Sequence, residues 1–133
     1  MKLRHLDEYI AERRKAAALY AKYLMGNGFQ LPVTAPYSTH VFHQFTLKVE
    51  SHRRTLLVEA LRKAGVPTAV YYPLPIHLQK AYSWLGYQQG DFPVSEKLSK
   101  EVISLPMHTE LQEEQIEYIA KIVNQNSFNT FKN

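Results

Sequence analysis

Three consecutive pieces of the chain decide the fold: HVFHQFTLKV (residues 40–49), SHRRTLLVEALRKAG (residues 51–65) and TAVYY (residues 68–72). The first piece alternates apolar and polar residues, which predicts a strand with one apolar face. The second spaces its apolar residues as an amphipathic helix does and ends at a glycine. The third is short and β-prone. A strand, a helix and a strand in such close succession are typical of a crossover unit whose two strands join one sheet.

A long helix is predicted before this unit, and a helix, a strand and another helix are predicted after it. The first helix ends near Gly26, and its apolar stripe consists of Leu3, Leu6, Ile10, Ala17, Tyr20 and Leu24. Residues 93–100 form the next helix and residues 102–105 a third strand. The last helix starts after Thr109 and Gln112, whose spacing fits a capping box.

Together these elements predict an α/β fold. We expect a small sandwich with a short sheet of about three strands, covered by helices and preceded by the long linking helix. The chain has 133 residues, 45% of them hydrophobic, which suffices for one domain with one core. We place that domain at residues 1–125 and expect residues 126–133 to fray.

The composition excludes several kinds of chemistry. The chain has no cysteine, so it can have no disulfide, no thiolate nucleophile and no thiolate-bound metal. Its net charge of +4 comes from Lys and Arg residues that lie beside acids in helical patterns, which argues against binding to nucleic acid. It has neither an apolar run of membrane-spanning length nor a signal peptide at its start, so we expect a soluble, cytoplasmic protein.

The sequence carries no motif of a complete catalytic site. It has no Gly-x-Ser-x-Gly elbow, no glycine-rich phosphate loop and no Gly-x-Gly-x-x-Gly. Its paired acids, such as Glu113 and Glu114, fall in first turns of predicted helices, where the helix dipole favours negative charge. His40 and His43 have a spacing that suits a metal, but a metal site needs three or four ligands, so we expect none.

The loop YYPLPIHLQ (residues 71–79) is the best candidate for a binding site. Its two prolines fix the backbone at the end of a predicted strand, so that Tyr71, Tyr72, His77 and Gln79 are held with little entropy left to lose. On the residues alone, an alternative stays open. The tyrosines could be ordinary strand residues, one core and one surface, and the histidine could be a solvated loop residue.

His43 and Gln44 form a second candidate pair, on the first predicted strand. A polar pair is less expected there than a valine, because alternation turns one of the two residues inward. The alternative is a partly buried histidine that is bonded to backbone.

A set of sequence blocks occurs in a fixed order along the chain. They are Leu3–Arg14, Val41–Phe45, Gly65–Pro73, Pro75–Gln79, Phe92–Leu98 and Ser104–Met107. Through these blocks the sequence resembles the DegT/DnrJ/EryC1/StrS family of pyridoxal-phosphate-dependent sugar aminotransferases. The resemblance extends from residue 2 to about residue 124.

The resemblance implies a fold-type-I aminotransferase, in which a large domain holds pyridoxal phosphate through a lysine Schiff base. A long helix then leads to a small α/β domain, and two subunits share each active site. This chain resembles the small C-terminal domain and starts within the linking helix. None of Lys2, Lys15, Lys22 and Lys80 matches the position of the cofactor lysine. We therefore expect a large domain or a second subunit as partner, no cofactor on this chain alone, and no transamination by it.

The resemblance also implies that the first strand and the loop face a nucleotide-sugar substrate. The residues expected at that surface are His43, Gln44, Tyr71, Tyr72, His77 and Gln79. A full-length relative would transfer an amino group from glutamate to a keto-sugar nucleotide in polysaccharide or amino-sugar biosynthesis. The alternative is a stand-alone module that binds a sugar nucleotide or a protein and buries its first helix in a homodimer.

Overall fold

The computed structural model describes residues 2–26 and 28–126 and confirms the predicted α/β sandwich. A 3-10 turn at Lys2–His5 leads into the first helix. Within the described residues the α-helices are α1 (Leu6–Tyr23), α2 (Ser51–Lys63), α3 (Pro93–Glu101) and α4 (Glu113–Asn126), and the strands are β1 (Phe29–Gln30), β2 (Phe45–Val49) and β3 (Val102–Leu105). None of the described helices is long and apolar enough to cross a membrane. The tail predicted to fray lies, beyond Asn126, outside the described residues.

The strands form an antiparallel sheet in the order β1, β2, β3. Phe45 pairs with Leu105 and Leu47 with Ile103, so the apolar residues of both strands share one face. These four residues and Val49 are all buried, which confirms the face predicted from the alternation in β2.

Helices α1, α2 and α4 cover that apolar face. Tyr20 of α1 stacks on Phe45 of β2 with ring centroids 4.7 Å apart, and its hydroxyl donates to the carbonyl of Pro106 at 2.9 Å. On the opposite face the hydroxyls of Thr46 and Ser104 lie 2.8 Å apart. The buried helix residues of the core are Ala16, Ala17, Tyr20, Leu57, Leu61, Ile116, Ile119, Ala120, Ile122 and Val123.

Strand β2 is shorter than predicted, because residues 40–44 form an irregular turn. Phe42 has a φ of 48°, and its N–H donates to Nδ1 of the His40 ring at 2.8 Å. Arg13 and Arg14 of α1 donate to three backbone carbonyls of this turn at 3.0 to 3.3 Å. Because helix side chains occupy these carbonyls, they are not available to a neighbouring strand.

The strand predicted at residues 68–72 is reduced to one bridge. The N–H of Ala69 donates to the carbonyl of Ser104 at 3.1 Å, and the N–H of Ser104 donates back at 2.7 Å. Pro67 and Pro73 flank the segment and have no N–H with which to extend the pairing. Since β3 pairs antiparallel with both β2 and this segment, the two run parallel with β3 between them. The crossover therefore skips one strand instead of joining neighbours.

The last helix begins three residues later than its predicted capping box implies. The N–H of Gln112 donates to Oε1 of Gln115 at 3.0 Å, which is the backward bond of such a box. Thr109 therefore precedes the helix in a turn, and α4 begins at Glu113.

Candidate functional site

The loop of residues 71–79 is tied to itself by local hydrogen bonds. Buried Pro75, with a φ of −55°, precedes a 3-10 turn at Ile76–Leu78. The side-chain amide of Gln79 donates to the carbonyl of Leu74 at 3.2 Å. Gln79 therefore supports the backbone of the loop.

His77 is buried against α3. Only 9% of the residue is exposed, and its Nε2 lies 3.0 Å from Oε1 of Glu96. Its ring lies against Phe92, with centroids 4.8 Å apart. This position is not that of a solvated loop histidine, which was the alternative left open by the sequence.

Glu96 joins three segments of the chain through one carboxylate oxygen. Besides His77, that oxygen accepts the N–H of Gly90 at 2.8 Å and the N–H of Phe92 at 3.4 Å. The N–H of Gly90, followed by His77 and Phe92, holds the pKa of Glu96 below the usual glutamate range, although desolvation acts in the opposite direction. The carboxylate is therefore ionised at neutral pH and fixes the loop to the start of α3.

The loop and α3 enclose a cleft of about 640 Å³, which we call the apolar cleft. Its walls include Tyr71, Tyr72, Leu74, Ile76, Phe92 and Val94. The rings of the two tyrosines pack edge to face, with centroids 6.0 Å apart. At least half of each residue is exposed. Aromatic walls of this kind suit a sugar ring or a nucleotide base.

A second cleft of about 390 Å³, the polar cleft, shares Tyr71 with the first. The polar residues in its walls are Arg13, His43, Gln44, Thr68, Tyr71 and Ser104. Hydroxyl and amide groups can both donate and accept hydrogen bonds, so this cleft suits a ligand with several oxygens.

The two clefts gather four of the six predicted site residues. Tyr71 lines both clefts, Tyr72 lines the apolar cleft, and His43 and Gln44 line the polar cleft. His43 is exposed, which differs from the buried alternative. The other two predicted residues, both in the loop, are not among the lining residues of either cleft.

Sequence reasoning missed Arg13 and Glu96. Arg13 follows Ile10 by three residues and precedes Ala17 by four, so it lies on the apolar face of α1. A charged residue on an apolar helix face was the signal that could have identified it. Glu96 lies inside a block that carried the family resemblance, but nothing local predicts its contact with a histidine 19 residues earlier.

Among the described residues, no lysine lines the apolar or the polar cleft, although pyridoxal phosphate needs a lysine amine to be held covalently. Lys22 pairs with Glu113 at 3.0 Å, and Lys48 and Lys97 pair with Glu101 at 3.5 and 3.9 Å. Neither of these two clefts therefore supplies a covalent anchor for the cofactor.

The described part of the chain likewise shows no group of three or more His, Asp or Glu side chains placed to hold a metal. His40, one of the two histidines with suitable spacing, uses Nδ1 to accept the N–H of Phe42.

Comparisons with known proteins cover almost the whole chain. The profile of the DegT/DnrJ/EryC1/StrS aminotransferase family matches residues 1–124. The UDP-N-acetyl-3-dehydro-alpha-D-glucosamine 3-aminotransferase of Acidithiobacillus ferrooxidans is 43% identical over 119 residues, which cover 90% of this chain and 31% of that protein. A Geobacillus stearothermophilus protein named pleiotropic regulatory protein is 42% identical over 124 residues, which cover 91% of this chain and 33% of that protein.

The fold is similar to that of a solved relative. The crystal structure of Streptomyces venezuelae DesV matches with a TM-score of 0.89 at 35% sequence identity, and the match covers 97% of this chain and 34% of that chain. This chain thus spans about one third of the length of the relatives it matches. On the profile match, the sequence identities and the shared fold, the chain belongs to the DegT/DnrJ/EryC1/StrS aminotransferase family.

Proposed function

We propose that residues 1–125 act as the small C-terminal domain of a cytoplasmic, pyridoxal-phosphate-dependent aminotransferase. The enzyme transfers an amino group from glutamate to a keto-sugar nucleotide. Its cofactor and cofactor lysine belong to a larger part of the enzyme or to a second subunit, since neither cleft described above offers a lysine. On this proposal the isolated chain does not transaminate.

The observation that carries this proposal is an apolar surface at the start of α1. Leu3, in the turn before α1, and Leu6 and Tyr9, in its first turn, are 83%, 47% and 38% exposed. Further along α1, by contrast, Ala16, Ala17 and Tyr20 are buried in the core. Leu6 and Tyr9 line a further cleft of about 720 Å³, the outer cleft, together with Val41 and Arg13. An apolar surface beside a polar cleft is typical of a contact with another domain or subunit.

The chemistry of the clefts supports a nucleotide sugar and a second, more polar reactant. In the apolar cleft, the faces of Tyr72 and Phe92 can stack on a sugar ring or a base. In the polar cleft, Gln44, Thr68 and Tyr71 offer hydrogen bonds to oxygens of a ligand.

A chimera tests this proposal. Residues 1–124 replace the stretch of the A. ferrooxidans enzyme to which they align, and turnover of that enzyme's own substrates is measured against the parent enzyme. We expect the chimera to bind pyridoxal phosphate and to transaminate. A folded, cofactor-loaded chimera without turnover would reject the proposal.

The second candidate function is a stand-alone module that binds a sugar nucleotide or a protein. It is favoured by the core, which closes within this chain: Tyr20, Phe45, Leu47 and Ile103 are at most 2% exposed. Calorimetric titration of the chain with UDP-sugars and its mass in solution distinguish the two functions. Micromolar binding together with a homodimer that buries Leu6 favours the module. A monomer without micromolar binding favours the domain.

A further inference from the structure

The turn of residues 40–44 holds one residue in a conformation that a side chain rarely adopts. Phe42 has a φ of 48°, in the left-handed region, which costs energy for a residue other than glycine. Its neighbours form parts of two cleft walls: Val41 and His43 line the outer cleft, and His43 and Gln44 line the polar cleft. The direction of these wall side chains therefore depends on the contacts that keep Phe42 in this conformation.

His40 supplies one of these contacts. Its Nδ1 accepts the N–H of Phe42 at 2.8 Å, and its ring stacks on the Phe42 ring with centroids 4.2 Å apart. A side-chain acceptor that takes the N–H two residues later is the arrangement of an Asx turn, here made by an imidazole nitrogen. Arg13 and Arg14 bond to carbonyls of the same turn, so His40 fixes a donor of the turn and α1 fixes its acceptors.

The bond from Phe42 to His40 requires a neutral imidazole ring. In a neutral ring that accepts at Nδ1, the proton lies on Nε2. When the ring takes up a second proton, Nδ1 becomes a donor and faces the N–H of Phe42 without a lone pair to accept it. The His40 ring is exposed, so protons reach it from the solvent. Acidification therefore removes the bond that holds the strained residue.

The charged groups around the turn do not offset a positive charge on His40. Both side chains that reach the turn from α1, Arg13 and Arg14, are cationic. Glu110, an acid in the wall of the outer cleft, pairs instead with His108 at 3.8 Å. Four other described histidines pair with an acid, whereas His40 does not. A protonated His40 thus adds repulsion to the loss of its hydrogen bond.

We propose that neutral His40 is a positioning residue for the polar cleft. It holds Phe42 in the left-handed conformation, which directs His43 and Gln44 to the cleft wall, and protonation of its ring releases the turn. His40 itself lines neither the polar nor the outer cleft, so it acts through Phe42. The control of the turn rests on the contacts of His40, and its consequence for turnover rests on the proposed function.

An NMR titration of the nitrogen-labelled, 133-residue chain from about pH 8 to about pH 5 tests this control directly, because histidines titrate in that range. The ring signals of His40 and His43, the two titratable groups of the turn, are followed separately from the amide signal of Phe42. We expect the Phe42 amide proton to leave its hydrogen-bonded, high-shift position in step with the His40 ring. A Phe42 amide that keeps its position while His40 titrates would overturn the proposal.

Two substitutions of His40 separate the hydrogen bond from the charge. In His40→Asn the side-chain oxygen accepts the same N–H and does not titrate, so the Phe42 amide should keep its neutral-pH position throughout. In His40→Ala the acceptor is absent, so the amide should have its acid position at every pH. An unchanged titration of the Phe42 amide in His40→Asn would assign the movement to His43 and overturn the proposal. Amide signals of the buried residues Leu47 and Ile103 verify that each variant is folded.

His108→Asn is the matched control. Nδ1 of His108 accepts the N–H of Glu110 at 3.3 Å, so the same kind of bond occurs there outside the turn. His108 lines neither the polar nor the outer cleft, and the Phe42 amide should titrate in this variant as it does in the wild type. Loss of that titration would show that the bond from His40 does not by itself control Phe42 and would reject the proposal.

The chimera provides a second readout, the pH profile of kcat/KM. The value for His40→Asn should stay within about twofold of the unsubstituted chimera at about pH 8 and exceed it by about threefold or more at about pH 5.5, where the wild-type turn is released. A ratio that does not change with pH would overturn the positioning role. A chimera without activity, together with the expected titration of Phe42 in the chain, would reject the proposed function but leave the control of the turn by His40 standing.

Discussion

Nε2 of His77 lies 3.0 Å from Oε1 of Glu96, and this contact joins the loop of residues 71–79 to the first turn of α3. The side chains of the pair are 8% and 13% exposed. The same carboxylate oxygen accepts the N–H of Gly90, so one acid fixes both sides of the apolar cleft. We therefore interpret His77 as a residue that does not line the apolar cleft but holds its walls in position through Glu96.

Replacing His77 by alanine should destabilise the chain. The change removes a buried partner of an ionised carboxylate, which costs about 1–3 kcal/mol of unfolding free energy. Urea denaturation measures it. His5→Ala is the matched control, since His5 contacts Glu8 at 2.9 Å in an exposed pair and should cost less than about 0.5 kcal/mol. Equal losses of unfolding free energy in the two variants would show that the buried contact stabilises the chain no more than the exposed one.

The stability of the chain should fall with acidification in a way that depends on Glu96. Its pKa in the folded state lies below the usual glutamate range, so the unfolded state takes up a proton first as the pH falls. The stability due to this carboxylate is fully present above about pH 4.3, the ordinary pKa of a glutamate, and is lost as the pH falls through the folded value.

Urea denaturation of the wild type and of Glu96→Gln over that range measures this loss. The difference in unfolding free energy between the two should be constant near neutral pH and should shrink below the ordinary glutamate pKa. Glu117→Gln, at an exposed position of α4, should run parallel to the wild type throughout. A Glu96→Gln curve that also runs parallel would contradict the account.

The fold was largely predictable because most of its elements have a periodic apolar face. The spacing from Leu56 to Leu61 predicts a helix with one apolar face, and the alternation from Phe45 to Val49 predicts a strand with one apolar face. Neither prediction requires knowledge of the element that packs against that face. The segments at residues 40–44 and 68–72 were predicted as strands and are not, because side chains of α1 and flanking prolines decide their hydrogen bonds. β1, at Phe29–Gln30, is too short to have a period.

The candidate site was predictable only in part. The proline-rich loop marks Tyr71 and Tyr72 as held in place, and the structure puts both in a cleft wall. The burial of His77 depends on Glu96, which is distant in sequence, and no local pattern predicts such a pair. The position of the Arg13 side chain depends on hydrogen bonds to carbonyls about 30 residues away, and the spacing of apolar residues does not predict such contacts.

Tyr20→Phe should show how much one buried hydrogen bond stabilises the core. The hydroxyl donates to the carbonyl of Pro106, and burial raises the pKa of the Tyr20 phenol, so it stays protonated. Loss of the bond leaves a carbonyl without its donor and should cost about 0.5–1.5 kcal/mol in urea denaturation. Tyr118→Phe removes a similar bond, to the carbonyl of Ala64, from an exposed side chain and should cost less than about 0.5 kcal/mol. A reversed order would contradict this assignment of the core contact.

Leu6→Gln should act differently in the isolated chain and in the chimera. Leu6 is 47% exposed in the chain alone, so the change should alter its unfolding free energy by less than about 0.5 kcal/mol. In the chimera, where we propose that another domain covers this surface, the loss should be about 1 kcal/mol or more. Leu56→Gln, at a residue of α2 that is 52% exposed, is the matched control and should change neither protein. A Leu6→Gln variant with the same small effect in both would show that the surface stays uncovered.

We propose that this chain supplies a substrate-facing wall to an aminotransferase whose cofactor lysine lies elsewhere. The most direct measurement follows the two half-reactions of the cofactor-loaded chimera separately, with glutamate and with the keto-sugar nucleotide, with and without Tyr72→Ala. Tyr72 lines the apolar cleft and not the polar one. The substitution should slow the keto-sugar half-reaction by about tenfold or more and leave the glutamate half-reaction within about twofold. Equal slowing of both halves, or no change in either, would contradict it.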